Sequence, residues 1–272
     1  MTDTRVCYRH PDRATRLACS NCGRPICVEC SRDASVGQKC PDCSAPEGRH
    51  RVVTAAQMRR ARAMVPVTYT LIAINLLVFV AGEFDPALGR RMVLDGAHLP
   101  SLVAAGEWWR ALTAVFLHGG FTHILFNMWA LYVFGPALEH RFGSAPFGAL
   151  YLAAGIGGSA LYQVMGRNVF AVGASGAIFG LMGGLLAVTF AQRFTPAGRA
   201  MFSQILLLLA INLALPFVVP NVAWEAHVGG LVAGALVGSA WERIPPGRGT
   251  APRRVAVAVA VAVVGMGIVL VA

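Results

Sequence analysis

With 272 residues, 56% of them hydrophobic and only 13% charged, the chain is too apolar for an ordinary soluble domain. Its mean hydropathy of +0.59 points instead to a polytopic membrane protein. The formal net charge of +10 does not mark a nucleic-acid binder, because much of it falls in the N-terminal region and in short loops between apolar runs, where it sets membrane orientation.

Residues 1–46 hold every cysteine of the chain in four two-ligand knuckles: Cys7-x2-His10, Cys19-x2-Cys22, Cys27-x2-Cys30 and Cys40-x2-Cys43. Eight soft ligands suffice for two closed tetrahedral Zn2+ sites. A segment this short buries too little apolar surface to fold unaided, and metal is expected to supply its folding free energy. Met1 to Arg16 is polar and carries no apolar run of signal-peptide length, which predicts a cytoplasmic N-terminus. A disulfide scaffold does not suit that compartment. The knuckle order resembles B-box-type zinc fingers, which interleave their ligands. That resemblance implies one ion on Cys7, His10, Cys27 and Cys30 and a second on Cys19, Cys22, Cys40 and Cys43. A B-box ends in histidines where this chain has Cys40 and Cys43, a departure that bears on the pairing.

Residues 47–63 form a basic juxtamembrane linker with Arg49, His50, Arg51, Arg59, Arg60 and Arg62, suited to anionic headgroups on the cytoplasmic side. Seven apolar segments follow, at about 64–82, 122–138, 146–166, 170–191, 201–220, 226–241 and 255–272. Arg141, then Arg193 and Arg199, then Arg243, Arg248, Arg253 and Arg254 fall in loops on one side. The other side has Arg167 and a long first loop, where Glu83, Asp85 and Asp95 accompany Arg90 and Arg91. The positive-inside rule therefore predicts N-in and, with seven spans, C-out. Arginine far outnumbers lysine, which hints at a GC-rich genome and a bacterial plasma membrane.

In this topology the second, fourth and sixth segments run from outside to inside, and each carries its unusual polar residues near its outer end. These are His123 and Asn127, then Ser175, then His227. Polar side chains in hydrocarbon are costly unless paired or functional, so one wet site below the outer surface is expected. The stretch Gly173-Ala174-Ser175-Gly176 has two readings: small residues for close helix packing, or a nucleophile kept bare for substrate. Glycines at 173, 176 and 180, and at 230, 234 and 238, would let two helices approach closely enough for Ser175 to reach His227.

Taken together, these residues resemble the rhomboid intramembrane serine proteases. The matching pieces are Trp109-Arg110 in the first loop, His118-x4-His123-x3-Asn127, Gly173-Ala174-Ser175-Gly176 and Ala226-His227-Val228-Gly229-Gly230. The resemblance implies an all-α, six-helix core over residues 64–242, to which 243–272 add a linker and a seventh transmembrane helix. It also implies Ser175 as nucleophile and His227 as general base, with Asn127, His123 and the Ser175 backbone N–H as the oxyanion hole. Gly173 and Gly176 would keep the substrate's approach open, and catalysis would need no cofactor.

The chemistry reads as a dyad, because no Asp or Glu lies within the six predicted core segments and Glu225, two positions from His227, would face away from it. Phe179, one turn beyond Ser175, is either a stacking surface for His227 or a lipid or core contact. His123 and Asn127 share a face at i and i+4, either as oxyanion donors or as an interhelical hydrogen bond. Trp108 to Phe121 reads as an interfacial or re-entrant element, where His118 would hold water or touch headgroups. The expected activity is endopeptidase cleavage of transmembrane protein substrates near their outer ends. The alternative is a non-proteolytic rhomboid-like binding or quality-control factor, and a transporter or metal-site protein is a third reading that leaves the serine unexplained. The zinc module is expected to act as a cytoplasmic domain that binds a protein partner. No nucleic-acid role is implied.

Overall fold

The computed structural model describes residues 5–34, 37–44, 65–214, 218–219, 222–245, 247 and 249–272. The chain divides into two compact units, Met1–Ala61 and Arg62–Ala272. The basic linker over 47–63 lies outside the described residues.

The first unit contains two short antiparallel hairpins, β1 (Arg5–Val6) with β2 (Ala14–Thr15) and β3 (Arg32–Asp33) with β4 (Gln38–Lys39), then a single helical turn, α1 (Pro41–Ser44). Its buried residues are Cys7, Cys19, Ile26, Cys27, Cys30 and Cys40, with Tyr8, Leu17 and Cys43 packed against them. A core of cysteines around one isoleucine is too small to offset the chain entropy of some forty residues.

The second unit is helical. After α2 (Pro66–Phe84), the first loop carries α3 (Pro86–Gly96), α4 (Pro100–Ala104) and α5 (Arg110–Thr113). It continues into α6 (Phe121–Phe142), α7 (Ser144–Met165), α8 (Ser175–Ala191), α9 (Pro196–Ala214), α10 (Trp224–Glu242) and α11 (Thr250–Val271). Five of these, α2, α6, α7, α9 and α11, are long and apolar enough to cross a membrane, and α8 is a shorter apolar helix of 17 residues. Exposed Leu77, Leu207 and Val263 give α2, α9 and α11 the apolar outer faces that lipid solvates. The chain is an integral, multi-pass, all-α membrane protein in this unit.

α8 lies at the centre, and its own Ile178, Phe179, Leu181, Met182 and Leu185 are buried on nearly every side of it. Its glycines make that position possible. A Cβ at Gly230 of α10 would fall on the Gly176 carbonyl, and one at Gly234 on the Gly180 carbonyl, so α8 and α10 meet backbone to backbone. α7 closes the trio, because a Cβ at Gly158 would stand 2.7 Å from the Ala226 carbonyl oxygen.

The fourth apolar segment, expected from residue 170, becomes helical only at Ser175, since Ala171 pairs as extended backbone with His98 and Gly173 has φ +130°. The second segment does not stop before its acid, because α6 continues through Glu139 to Phe142. Glu139 is buried, and its carboxylate accepts from the Val67 N–H (3.0 Å), the Thr68 N–H (2.8 Å), the Thr68 hydroxyl (2.7 Å) and the Ser144 hydroxyl (2.7 Å). It thereby caps the otherwise unpaired first turn of α2, where a negative charge is also favoured by the helix dipole. Glu139→Ala is expected to leave the buried Thr68 N–H and the partly buried Val67 N–H unpaired, and to destabilise the core by about 1–3 kcal/mol for the buried one and less for the other. A thermal unfolding midpoint in detergent equal to that of the parent protein would show that the cap contributes nothing.

Candidate active site

Three parallel helices bring their N-terminal ends to one place. His123 and Asn127 lie in the first two turns of α6, Ser175 opens α8, and His227 is the fourth residue of α10. Helix N-termini present unpaired N–H groups and the positive end of the dipole, so the meeting point favours developing negative charge.

Ser175 Oγ lies 2.9 Å from His227 Nε2. With the hydroxyl donating, the neutral ring carries its proton on Nδ1, and that atom has no protein partner among the described residues. Among the described residues, no carboxylate therefore orients the imidazole. Packing does so instead: Phe179 stacks on His227 with ring centroids 4.2 Å apart and planes inclined by 9°. Glu225 is buried on the same helix but does not bond the ring.

His123 stands on the other side of Ser175. A Cβ at Gly173 would meet its Cε1 and Nε2 at 2.7 Å and Ser175 Oγ at 3.7 Å. Only glycine fits there, on space and on its φ of +130° alike. The Gly119 N–H approaches His123 Nδ1 at 3.4 Å. That weak donation favours the tautomer with hydrogen on Nε2, the atom turned toward Gly173 and Ser175. Asn127 is buried, and one of its amide hydrogens is donated to the His123 carbonyl at 2.9 Å. His118 meets His123 edge to face at 5.2 Å, and both of its ring nitrogens are buried without a protein partner among the described residues.

Behind Ser175 is a cavity of about 40 Å³ lined by His98, Ser159, Tyr162, Gly173 and Gly176 among others. It has room for water or a small side chain. Two residues of its wall, His98 and Ser159, and the burial of Arg110 nearby in the first loop are not evident from the sequence. His98, almost fully buried, makes a 3.0 Å bond between Nε2 and Gln163 Oε1, and burial holds it below the ordinary imidazole range against the opposing effect of that bond. Ser159 donates to the Ala111 carbonyl at 2.7 Å. Arg110 is 3% exposed, paired with Glu107 at 2.5 Å and donating to the Ala97 carbonyl at 2.9 Å, so it is a buried brace of the first loop rather than a membrane-surface charge. Single polar residues in the first loop and in an apolar helix carry no local pattern, so only the tertiary fold reveals these pairings.

The rhomboid domain model matches residues 105–242, just over half of the chain. The protein belongs to the rhomboid family. The rhomboid protease GluP of Bacillus subtilis (strain 168) is 41% identical over 175 residues, 64% of this chain and 34% of GluP. RHOMBOID-like protein 4 of Arabidopsis thaliana is 39% identical over 146 residues, 53% of this chain and 37% of that protein. YdcA of the same Bacillus strain is 42% identical over 137 residues, half of this chain and 68% of its own. The chain thus spans only about a third of the length of the first two of these curated relatives.

In the N-terminal unit, Cys7, His10, Cys27 and Cys30 form one cluster and Cys19, Cys22, Cys40 and Cys43 another, each with its ligand atoms within 4.8 Å of one another. In the first, His10 Nδ1 stands 3.9 Å from Cys7 Sγ and 3.4 Å from the sulfurs of Cys27 and Cys30; in the second, Cys22 and Cys40 sulfurs are 3.8 Å apart. A tetrahedron with Zn–S near 2.3 Å and Zn–N near 2.0 Å has edges of roughly 3.5–3.8 Å. Both sets fit structural zinc, which would crosslink the two hairpins' ends and supply no catalytic chemistry.

Proposed function

We propose that the chain is a rhomboid-type intramembrane serine endopeptidase, built on a six-helix core of α2 and α6–α10 with α11 as a seventh helix. The observation that carries the reading is the 2.9 Å contact between Ser175 Oγ and His227 Nε2 beside three helix N-termini. Ser175 attacks the scissile carbonyl carbon as His227 Nε2 takes its proton. The resulting oxyanion is met by the Ser175 backbone N–H and by His123 Nε2, with the second amide hydrogen of Asn127 completing the set. Collapse of the tetrahedral intermediate breaks the C–N bond, and His227 returns the proton to the leaving amine. Water, activated by the same imidazole, then hydrolyses the acyl-enzyme and regenerates the serine. The substrates are single-span membrane proteins, bound from the bilayer. Phe179 orients the base, Gly173 keeps the space between His123 and Ser175 bare, Gly176 lets α8 pack against α7 and α10 at the cavity wall, and His118 holds water near the site.

The loop charges support N-in and C-out, which puts Ser175 on the extracytoplasmic side. The zinc-binding unit over 1–46 would then be a cytoplasmic module, suited to recruiting a protein partner or a substrate's cytoplasmic tail. Purified protein in detergent is expected to cleave a model transmembrane substrate toward the extracytoplasmic end of its span, at small residues that suit the cavity behind Ser175. A reporter fused after Ala272 should be extracytoplasmic. Intact substrate after prolonged incubation would favour a non-proteolytic binding role, and a cytoplasmic reporter would reverse the topology.

A further inference from the structure

The last turn of α11 contains an unusual residue. Leu270 and Val271 are 63% and 86% exposed, as expected at a fraying helix end, yet Val269 is 1% exposed. It is buried in a cluster with Val103 of α4, Ala111 of α5 and Ala160 of α7, with Met266 packed against them. One turn earlier, a Cβ at Gly265 would lie 3.2 Å from Ile156 Cγ2 and 3.6 Å from the Gly157 nitrogen, so α11 rides directly on the α7 backbone. The helix therefore presses the first loop against α7 from outside.

The same loop is bonded on its inner side to the segment that leads into Ser175. His98 and Ala171 exchange backbone hydrogen bonds of 3.0 and 2.8 Å, and the Gly173 N–H donates to the Ala114 carbonyl at 2.9 Å. Gln163 of α7 holds both His98 and the Pro100 carbonyl, and Ser159 holds the Ala111 carbonyl. An uninterrupted set of packed side chains and hydrogen bonds thus runs from Val269 through the first loop to the backbone of residues 171–173. That backbone fixes where the N–H groups at Ser175 point.

We propose that α11 is a positioning element for the serine, with Val269 and Met266 holding the first loop so that it sets the 171–173 backbone. The kinetic part of this rests on the protease reading above; the part concerning loop order does not. An error in amide placement acts on the oxyanion, which exists only in the transition state, so it lowers kcat and leaves KM nearly unchanged.

The test uses the full-length protein in detergent, comparing the parent with Val269→Asn, Val269→Ile and Gly265→Leu. Hydrogen exchange is read across 97–114 and 171–173, together with kcat, KM and the rate of fluorophosphonate labelling. Val269→Asn and Gly265→Leu should accelerate exchange in those two segments by about tenfold while leaving the α8–α10 contact protected. They should also reduce kcat and labelling by about tenfold at unchanged KM, a loss in keeping with slight misplacement of reacting groups. Val269→Ile should behave as the parent. Should Val269→Asn fail to fold, Val269→Ala is read in its place, with smaller shifts of the same pattern. Unchanged exchange, exchange raised uniformly over the whole core, or a change in KM alone would overturn the proposal. If exchange responds as expected while no form of the protein cleaves or labels, the positioning of the loop stands and the protease reading falls.

Discussion

Ser175→Ala and His227→Ala are each expected to abolish cleavage of a transmembrane substrate, with losses on the order of 10⁴–10⁶-fold. In the proposed mechanism each group acts only together with the other, so the double variant should be no worse than the singles. Ser175→Ala should keep the fold, because Ser175 is partly exposed at a helix start, while His227→Ala gives up the burial of a ring only 7% exposed as well as its stack on Phe179, the stack being worth about 0.5–1.5 kcal/mol beyond that burial. Unfolding midpoints therefore belong beside the activity measurements. Asn127→Ala should cost less, at most about 2.7–4 kcal/mol of transition-state stabilisation, since its amide already spends one hydrogen on the His123 carbonyl. A fluorophosphonate should label Ser175 in the parent and not in His227→Ala. Residual activity near that of the parent in either single variant would remove the dyad assignment.

The neighbourhood of Ser175 and His227 was legible because polar residues are rare in apolar segments, and their positions along three helices of one direction imply a shared depth. Glycines at four-residue spacing signalled the close approach of α8 and α10 for the same reason: in a membrane helix a bare ridge has few other uses. Glu139 was not legible in this way. It sits at the end of an apolar run, and its partners Val67 and Thr68 are some seventy residues away, so no local period connects them. His98 and Gln163 were missed on similar grounds, each being a lone polar residue whose meaning comes from a partner more than sixty positions distant. The start of α8 was also misplaced. Apolar composition continues through residues 170–174, and only backbone pairing with the first loop and the conformation of Gly173 show that the helix has not yet begun.

Metal removal should have the second large effect, confined to the N-terminal unit. Full-length protein purified without chelator is expected to hold about two Zn2+ per chain, one per ligand set. Apparent binding energies of about 10–16 kcal/mol per structural zinc near neutral pH are far above what the buried Ile26 and the half-buried Tyr8 and Leu17 can provide. A strong chelator should therefore unfold residues 5–44 and make them protease-sensitive, while the helical unit, whose core contains no metal ligand set among the described residues, keeps its unfolding midpoint. Cys19→Ser and Cys27→Ser distinguish the two sets, each lowering the zinc content by about one ion if the pairing seen in the clusters holds. Because the proposed mechanism uses no residue of 1–46, deletion of that segment should leave cleavage of a generic substrate in detergent nearly unchanged and reduce only cleavage that depends on a substrate's cytoplasmic tail. Loss of activity on every substrate, with the helical unit still folded, would instead make the zinc module an obligatory regulator of the site.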